Sequence, residues 1–412
     1  VTDPNPPTRI ARLILVTRTG EVLGQLPPFP VTTPWWQDAA PVVRAARERH
    51  GVEVTILRLL EAQLPEPPGG PVTYLAEVAG PVAASRWDGV LDEHPNRLPY
   101  ARPGGPAADL AWAGAVLADQ GLRRSGPAEQ VRTWNLSSLW RCPVSGPTAR
   151  GRSAWLKVVP VFLAHEGAML SRLAGGPVPT LLAQDGQRML MAELPGADLY
   201  GAALPWLVRM VPLLVSLQQV EIGRVEELLA LGLPDWRAPV LTLAITEVVE
   251  RSALELSPAD RTTLDALVHG LPERFRRLGA CGLPDSLVHG DFCPGNVRGD
   301  GTSLALLDWG DSGVGHPLLD QTAFLDRIAA DAVGPVRELW SRAWRAAVPG
   351  CDPERAAGLL APVAAARQAV VYRRFLDGIE PSEHPYHQLD PARWLVRTAA
   401  LLRREQALAL LP

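Results

Sequence analysis

The stretch from Leu287 to Asp320, LVHGDFCPGNVRGDGTSLALLDWGDSGVGHPLLD, constrains this chain more than any other. It opens on His289-Gly290-Asp291, sets Asn296 five residues beyond that aspartate, and ends the apolar run Leu304 to Leu307 on a second carboxylate, Asp308. A scarcity adds to it: the whole chain has one lysine, Lys157, and every other basic side chain apart from histidine is arginine. With Ala, Pro and Gly abundant, this reads as a high-GC coding bias. The bias makes the surviving lysine telling, because arginine does not replace a compact ammonium that must fit against phosphates. Lys157 sits in SAWLKVVP, an apolar segment that reads as a strand upstream of the aspartates. One carboxylate to receive or orient a hydroxyl proton, an amide and a second carboxylate for a metal, and an ammonium on a strand are the parts that phosphoryl transfer from Mg-ATP needs.

HGDFCPGN followed by LLDW resembles the aminoglycoside phosphotransferase superfamily, which includes choline kinase-like and other small-molecule kinases. The resemblance runs from about Gln130 to the end of the chain. It implies an α+β, two-lobed protein-kinase-like fold with a small β-rich N-lobe and a large helical C-lobe. It implies that Asp291 is the catalytic residue, that Asn296 and Asp308 hold Mg²⁺, and that Lys157 contacts the α/β-phosphates of ATP while Glu166 on the next helix fixes it. The nucleotide loop lacks a GxGxxG. The candidate turn is Asn135-Leu136-Ser137-Ser138, and superfamily members often use a Ser-bearing loop whose hydroxyls and N–H groups bind phosphate. Ser137 and Ser138 serve equally well as turn residues. The hinge from Met191 through Glu193 and Leu194 would take the adenine by backbone hydrogen bonds. His289 is expected as a buried, hydrogen-bonded scaffold residue and Asp320 as a helix cap or scaffold contact. Asp311 either faces the acceptor or is solvated. Family members often have His where Cys293 stands.

The remaining sequence sets the frame. A chain of 412 residues suggests two or three domains. The net charge of −4 gives no reason to expect nucleic acid or an anionic membrane as partner. Cys142, Cys281, Cys293 and Cys351 show neither CxxC spacing nor histidines at zinc spacing, so reduced cytoplasm is the expected setting. VTDPNPPTR lacks a signal-peptide pattern, and Ala203 to Leu217, broken by Pro205, Arg209 and Pro212, reads as a buried helix rather than a membrane span.

Residues 8 to 24 read as two strands about a Gly turn, QDAAPVVRAARERHGVEV as a helix, and VTILRLLEAQ and PVTYLAEVAG as strands separated by a turn from Pro65 to Pro71. This region vaguely resembles the Nudix fold. Only Arg44, Glu48, Gly51 and Val52 of that family's box are in register, and Ala45 and Arg49 replace two metal-binding glutamates. The expected division is a degenerate, non-catalytic Nudix-like accessory domain over 1–100, a linker and helix over 101–127, the N-lobe over 128–196 and the C-lobe over 197–412. Pro95 to Pro106 is the clearest linker, followed by the helix AADLAWAGAVLADQGL. VRTWNLSS, LWRCPV and SAWLKVVP read as strands, FLAHEGAMLSRLAG as a helix, and TLLAQ and RMLMAELPG as strands. Beyond Gly201 the chain reads as helical except near the two aspartate motifs.

The expected activity is ATP-dependent phosphorylation, with GTP as the alternative donor, of a hydroxyl on a small molecule, an antibiotic, an aminosugar or a similar metabolite. Asp377, Glu380, Glu383 and Asp390 would suit a cationic acceptor, though a plain solvated loop fits the same residues and Arg373 and Arg374 lie beside them. A protein kinase would carry HRD and an activation segment, for which the residues after Asp308 leave little room. From another class, a nucleotide-binding pseudokinase or regulatory module would usually lose one of the Lys, Asp or Asn roles. This chain keeps them all.

Overall fold

The computed structural model describes residues 8–63, 69–147 and 152–409. The chain forms two compact units: one holds the residues up to Gly167 with Thr180–Glu193 and Leu376–Gln388, the other Ala168–Pro179, Leu194–Phe375 and the residues from Leu389.

The first unit is rich in strands. β1 (Arg9–Thr17), β2 (Val22–Gln25), β3 (Phe29–Val31), α1 (Ala39–His50), β4 (Val54–Ala62) and β5 (Gly70–Val78) come first. The sheet order is β2-β1-β5-β4, with β3 also pairing β1, and β1 runs parallel to β5. Period-2 alternation in β1 sends Ala11, Leu13 and Leu15 into one core with Val42 and Ala46 of α1, and Ile14 and Val16 into a smaller cluster on the opposite face. Gly51, with φ 66°, ends α1 and returns its N–H to the Arg47 carbonyl. Arg9 is fully buried with both terminal nitrogens engaged, donating to the Tyr74 hydroxyl at 3.0 Å, to Thr33 Oγ1 at 3.2 Å and to the Asp38 carbonyl at 3.1 Å.

After α2 (Gly105–Asp119) come β6 (Arg123–Arg124), β7 (Glu129–Trp134), β8 (Ser137–Ser145), β9 (Ser153–Val158), α3 (His165–Arg172), β10 (Leu181–Asp185) and β11 (Arg188–Ala192). Their sheet runs β10-β11-β9-β8-β6, with β7 also on β8. Trp140, Cys142, Leu156, Val158 and Leu190 pack from one face against Ala113 and Leu117 of α2. The Gln130 carboxamide joins the two sheets, accepting from Ile56 N at 2.8 Å and donating to Ile56 O at 2.7 Å.

The expected strands and helices are met, with the short β3 and β6 added, except that VRTWNLSS is not one strand: β7 ends at Trp134, and Ser137 and Ser138 open β8 with LWRCPV. Of the expected turn from Pro65 to Pro71, residues 65–68 lie outside the described residues. Pro95 to Pro106 is no free linker: Leu98, Tyr100 and Ala101 are buried, and the Tyr100 hydroxyl donates to the Trp134 carbonyl at 2.7 Å. Its Pro and Gly residues make packed turns. A Cβ on Gly105 would sit 2.0 Å from the Pro99 carbonyl oxygen, so only glycine fits there.

The second unit is mainly helical. Its elements are β12 (Ala197–Asp198), α4 (Leu204–Val220), α5 (Val225–Ala230), α6 (Ala238–Arg251), α7 (Pro258–Gly279), β13 (Ser286–Val288), β14 (Val297–Gly299), β15 (Leu304–Leu306), β16 (Gly313–Gly315), α8 (Leu319–Leu325), α9 (Ala330–Ala347) and α10 (Pro353–Gly378). The short α11 (His384–His387) belongs to the first unit, and α12 (Asp390–Ala409) returns to the second. The architecture is the expected α+β one, a β-rich part followed by a helical part. Phe292 stacks on Phe324 with ring centroids 4.7 Å apart, and Trp340 meets both edge-on, so the segment after Asp291 is anchored in an aromatic core. No described helix is long and apolar enough to cross a membrane.

Candidate active site

In the second unit, β13 delivers His289-Gly290-Asp291. Gly290 has φ +89°, and a Cβ there would lie 1.9 Å from the Asp311 carbonyl oxygen, so this turn requires glycine. The buried Asp320, in the first turn of α8, accepts from His289 N at 2.9 Å and from Gly290 N at 2.8 Å. Gln218 of α4 donates to the same carboxylate at 3.1 Å. Burial raises the pKa of Asp320, against the opposing pull of His289, the two N–H groups and Arg367. His289 is itself buried, with Nε2 2.9 Å from the Leu307 carbonyl and its ring 4.5 Å from that of Trp309. A carbonyl only accepts, so Nε2 carries the proton and the ring acts as scaffold. From α10, the buried Arg367 donates to Gly290 O at 3.3 Å and to Asp311 O at 3.4 Å, with its guanidinium 4.6 Å from the Trp236 ring.

Asp291 is bracketed. Asn296 Nδ2 donates to its Oδ2 at 2.8 Å and to its carbonyl at 2.9 Å, and Arg327 Nη1 donates to Oδ1 at 2.6 Å. Burial opposes the charge on Arg327, but Asp291 and then Cys293 outweigh it and hold the guanidinium pKa above its usual value. Burial pushes the Cys293 thiol up.

A single 3₁₀ turn over Pro294–Asn296 bends the chain into β14, and Val297 pairs with Leu306 of β15. Leu307 N donates to Asn296 O at 2.8 Å, which ties the residue before Asp308 to Asn296 across the hairpin. The apolar run that ends on Asp308 is a strand only to Leu306, and Asp308 itself has φ 62° and ψ 63°. It is the only non-glycine residue with positive φ among the described residues. Such a conformation costs on the order of 1 kcal/mol or more and collects at functional sites.

The residues fit Mg²⁺ in one way only. No group of three or more His, Cys, Asp or Glu that could hold a metal occurs among the described residues. Mg²⁺ characteristically takes one or two carboxylates and completes its shell with phosphate oxygens and water. Asp308 would supply the carboxylate. The Asn296 amide nitrogen is engaged by Asp291, so the amide oxygen is the atom that would face a metal.

In the first unit, the Lys157 ammonium lies 2.8 Å from both oxygens of Glu166, with side-chain exposures of 14% and 3%. The pair forms because β9 and α3 are joined by a short connection that brings position 166 back over the sheet. Cross-strand register puts Lys157 opposite Leu139 and Met189, and Trp155 opposite Met191, all on one face. Ser138 lies on the other face, buried, and its Oγ accepts from Trp140 Nε1 at 2.9 Å. This departs from the expectation that both serines meet phosphate, because Ser138 and Lys157 point to opposite sides of the sheet. Ser137 shares the face of Lys157, and its Oγ accepts from Trp134 Nε1 at 3.1 Å.

Of the residues expected to take the adenine, Glu193 in the first unit accepts at Oε2 from Arg152 N at 2.7 Å and Ser153 N at 3.1 Å. In the second unit the Leu194 carbonyl accepts from Arg298 at 3.2 Å. The acidic residues expected for a cationic acceptor are also spent in part. Glu380 receives a two-pronged Arg97 guanidinium at 3.1 and 2.8 Å, both side chains nearly inaccessible, and Glu383 is buried against Asn135.

Arg327, Arg367 and Glu383 were not assigned these contacts from sequence. A lone arginine inside LAPVAAARQAVV was a usable signal for Arg367, since a charge in an apolar helix demands buried partners. Nothing local marks the other two.

The family described as "Phosphotransferase enzyme family" matches residues 152–359, half of the chain. No curated protein matches. Among solved structures, the chain is similar to the macrolide 2'-phosphotransferase of Brachybacterium faecium, at 18% identity over 72% of this chain and 98% of that one, with a TM-score of 0.47. It is also similar to an ethanolamine kinase of Plasmodium vivax, at 11% identity over 68% of this chain and 83% of that one, TM-score 0.48. A choline kinase of Cryptosporidium parvum gives 11% identity over 68% and 90%, TM-score 0.48.

Proposed function

The chain belongs to the phosphotransferase enzyme family, whose members transfer phosphate to a hydroxyl group, and we propose that it moves the γ-phosphoryl group of Mg-ATP onto a small-molecule hydroxyl. The acceptor class is an antibiotic, an aminosugar or a similar metabolite. The observation that carries this reading is the bracketing of Asp291 by Asn296 and Arg327, which fixes the direction of both carboxylate oxygens.

Asp291 orients the acceptor hydroxyl and receives its proton as the oxygen bonds to the γ-phosphorus. The bond from that phosphorus to the β–γ bridging oxygen breaks, and ADP leaves with the electron pair. Lys157, held by Glu166, neutralises phosphate charge, and Ser137 and the Asn135–Leu136 turn meet the phosphates from the sheet. Asn296 and Asp308 would hold Mg²⁺, which supplies charge neutralisation on the phosphates when bound. Glu193 and Leu194 border the adenine, with Glu193 acting through the main chain that it fastens. The chain does its work by positioning and charge neutralisation.

Residues 1–100 are proposed as a non-catalytic, Nudix-like accessory domain, followed by a connecting helix to 127, the N-lobe over 128–196 and the C-lobe over 197–412. Supporting this, Glu48 is exposed on α1 with Ala45 and Arg49 where further carboxylates would be needed to hold a metal.

The test is Mg²⁺-dependent ADP release across aminoglycosides, other hydroxylated antibiotics, sugars and amino alcohols, beside Asp291→Ala. Turnover stimulated by one class and lost in the variant names the substrate family. Silence across the panel, with ATP bound equally by both proteins, moves the reading to a nucleotide-binding module.

A further inference from the structure

The connection between β7 and β8 is only two residues, Asn135 and Leu136, because Trp134 pairs with Ser137. Two-residue hairpin turns favour forms with positive φ, whose twist matches that of the strands. Neither Asn135 nor Leu136 adopts it, since positive φ outside glycine is confined to Asp308 among the described residues. A turn of the less favoured kind needs support from outside the hairpin.

That support comes from a segment far away in sequence. Asn135 N donates to Glu383 Oε1 at 3.1 Å and Oε2 at 3.2 Å, and Glu380 N donates to Asn135 Oδ1 at 3.3 Å. Residues 380–383 thus grip Asn135 through both its main chain and its side chain. The grip is anchored in turn. Tyr386 stacks flat on Trp36, with ring centroids 3.9 Å apart and planes 1° from parallel. Arg97 clasps Glu380, and Asn96 Nδ2 donates to Asp377 O at 3.1 Å and Ile379 O at 3.3 Å. The other side of the turn is held by the Tyr100 hydroxyl on Trp134 O.

Glu383 is 1% exposed, and a carboxylate is a costly side chain to bury where filling space is the only need. The cost is met if its oxygens are required to bind a main-chain N–H. Burial pushes its pKa up to about 7, with the Asn135 hydrogen bonds pulling the other way.

We infer that Glu383 is a positioning residue for the nucleotide: its carboxylate fixes the Asn135–Leu136 turn, and so places the end of β8 that faces Lys157. This deepens the proposed function and rests on its assignment of the turn to ATP phosphates. The register supports the route, because Leu139, two residues beyond Ser137, is directly opposite Lys157. Neither Asn135 nor Glu383 lies within the residues matched to the family, 152–359.

The experiment uses the full chain as wild type, Glu383→Ala, Glu383→Gln, Glu383→Met and Lys157→Ala. Hydrogen–deuterium exchange is read on peptides covering the turn and, as a control, His289–Asn296. Calorimetry gives the Kd for Mg-ATP without needing an acceptor. Glu383→Ala should speed exchange at the turn alone and raise the Kd about tenfold, the effect of losing one charge-assisted hydrogen bond. Glu383→Gln retains an acceptor oxygen and should recover most of both, which a space-filling role would not require. The clamp is overturned if Glu383→Ala, or Glu383→Met (space-filling, with no acceptor oxygen) where Ala does not fold, matches wild type in turn exchange and Kd while Lys157→Ala loses ATP. It is overturned equally if Ala and Gln are impaired alike. If Lys157→Ala binds ATP as wild type does, the site reading itself fails and the clamp's functional role falls with it.

Discussion

Two loops of this protein are held the same way, by a buried carboxylate that accepts main-chain N–H groups, and they differ in how much else holds them. Asp320 takes His289 N and Gly290 N from 30 or so residues away, within a motif that also supplies His289 on Leu307 O and is reinforced by Arg367 on Gly290 O. Glu383 takes Asn135 N from 248 residues away, helped mainly by Glu380 and Tyr100. Burial raises the pKa of both carboxyls. In the first loop the carboxylate is one node of a dense network. In the second it is the one side chain that takes the turn's own main-chain N–H, with fewer contacts around it. The expectation is that losing Asp320 damages the fold around the loop, whereas losing Glu383 damages one turn.

Asp320→Ala should therefore have the largest effect. It strands two buried N–H groups, removes one of two partners of the Gln218 amide and deprives the buried Arg367 of the carboxylate that most favours its charge, a loss of about 3–5 kcal/mol in unfolding free energy. Chemical denaturation measures it, and turnover should vanish with it. A variant with wild-type stability would erase the contrast between the loops. Gly290→Ala comes next, because its Cβ would meet the Asp311 carbonyl at 1.9 Å in a backbone conformation that alanine resists. About 3 kcal/mol and most of the turnover should be lost, read by the same two assays.

Glu383→Gln sharpens the comparison through pH. The carboxyl is raised from 4.5 to about 7 on folding, so the folded chain binds its proton more tightly than the unfolded chain does. The wild type keeps this stabilisation fully below about pH 4.5 and loses it as pH rises to about 7, by up to about 3 kcal/mol. Around the group stand Glu380, His384 and His387 on its own segment, Arg97, Tyr74, Tyr100, Arg9, Asp38 and Tyr386. Glutamine has no such slope, so the variant should gain on wild type between pH 5 and pH 8 in thermal melts. Parallel melting curves for the two proteins would contradict the buried titration.

The contrast also explains what could be read in advance. Asp320 was legible as scaffold only through the family resemblance carried by GHPLLD, and Lys157 with Glu166 was legible because strand, connection and helix come in order. Glu383 was read as a candidate for a cationic acceptor. Composition shows that acids cluster there, but only tertiary packing shows that Arg97 and Asn135 have already claimed two of them. Pro95–Pro106 misled for a related reason: Pro and Gly mark a change of direction, and they do not say whether the turning chain is free or packed beneath Tyr100. The positive φ of Asp308 left no trace in LLDW. Ser138 could have been separated from Ser137 by strand alternation, had the hairpin register been known.

The smallest expected effect on stability belongs to Arg327, whose bridge to Asp291 is the half-exposed counterpart of the buried contacts above, at 43% and 31% side-chain exposure. A bridge this open contributes less than about 1 kcal/mol, so Arg327→Ala should melt nearly as wild type does. Its consequence should be kinetic. Asn296 would still hold Oδ2, but Oδ1 would lose the guanidinium that fixes its direction, and turnover should fall about tenfold at unchanged affinity for Mg-ATP. Arg327→Lys restores a charge without the planar fork and should recover only part of the rate. Steady-state kinetics on a responsive acceptor decides it. A rise in turnover would mean that the bridge restrains Asp291, so that this molecule positions its loops by carboxylates on main-chain N–H groups and uses its exposed side-chain pair to hold the carboxylate back.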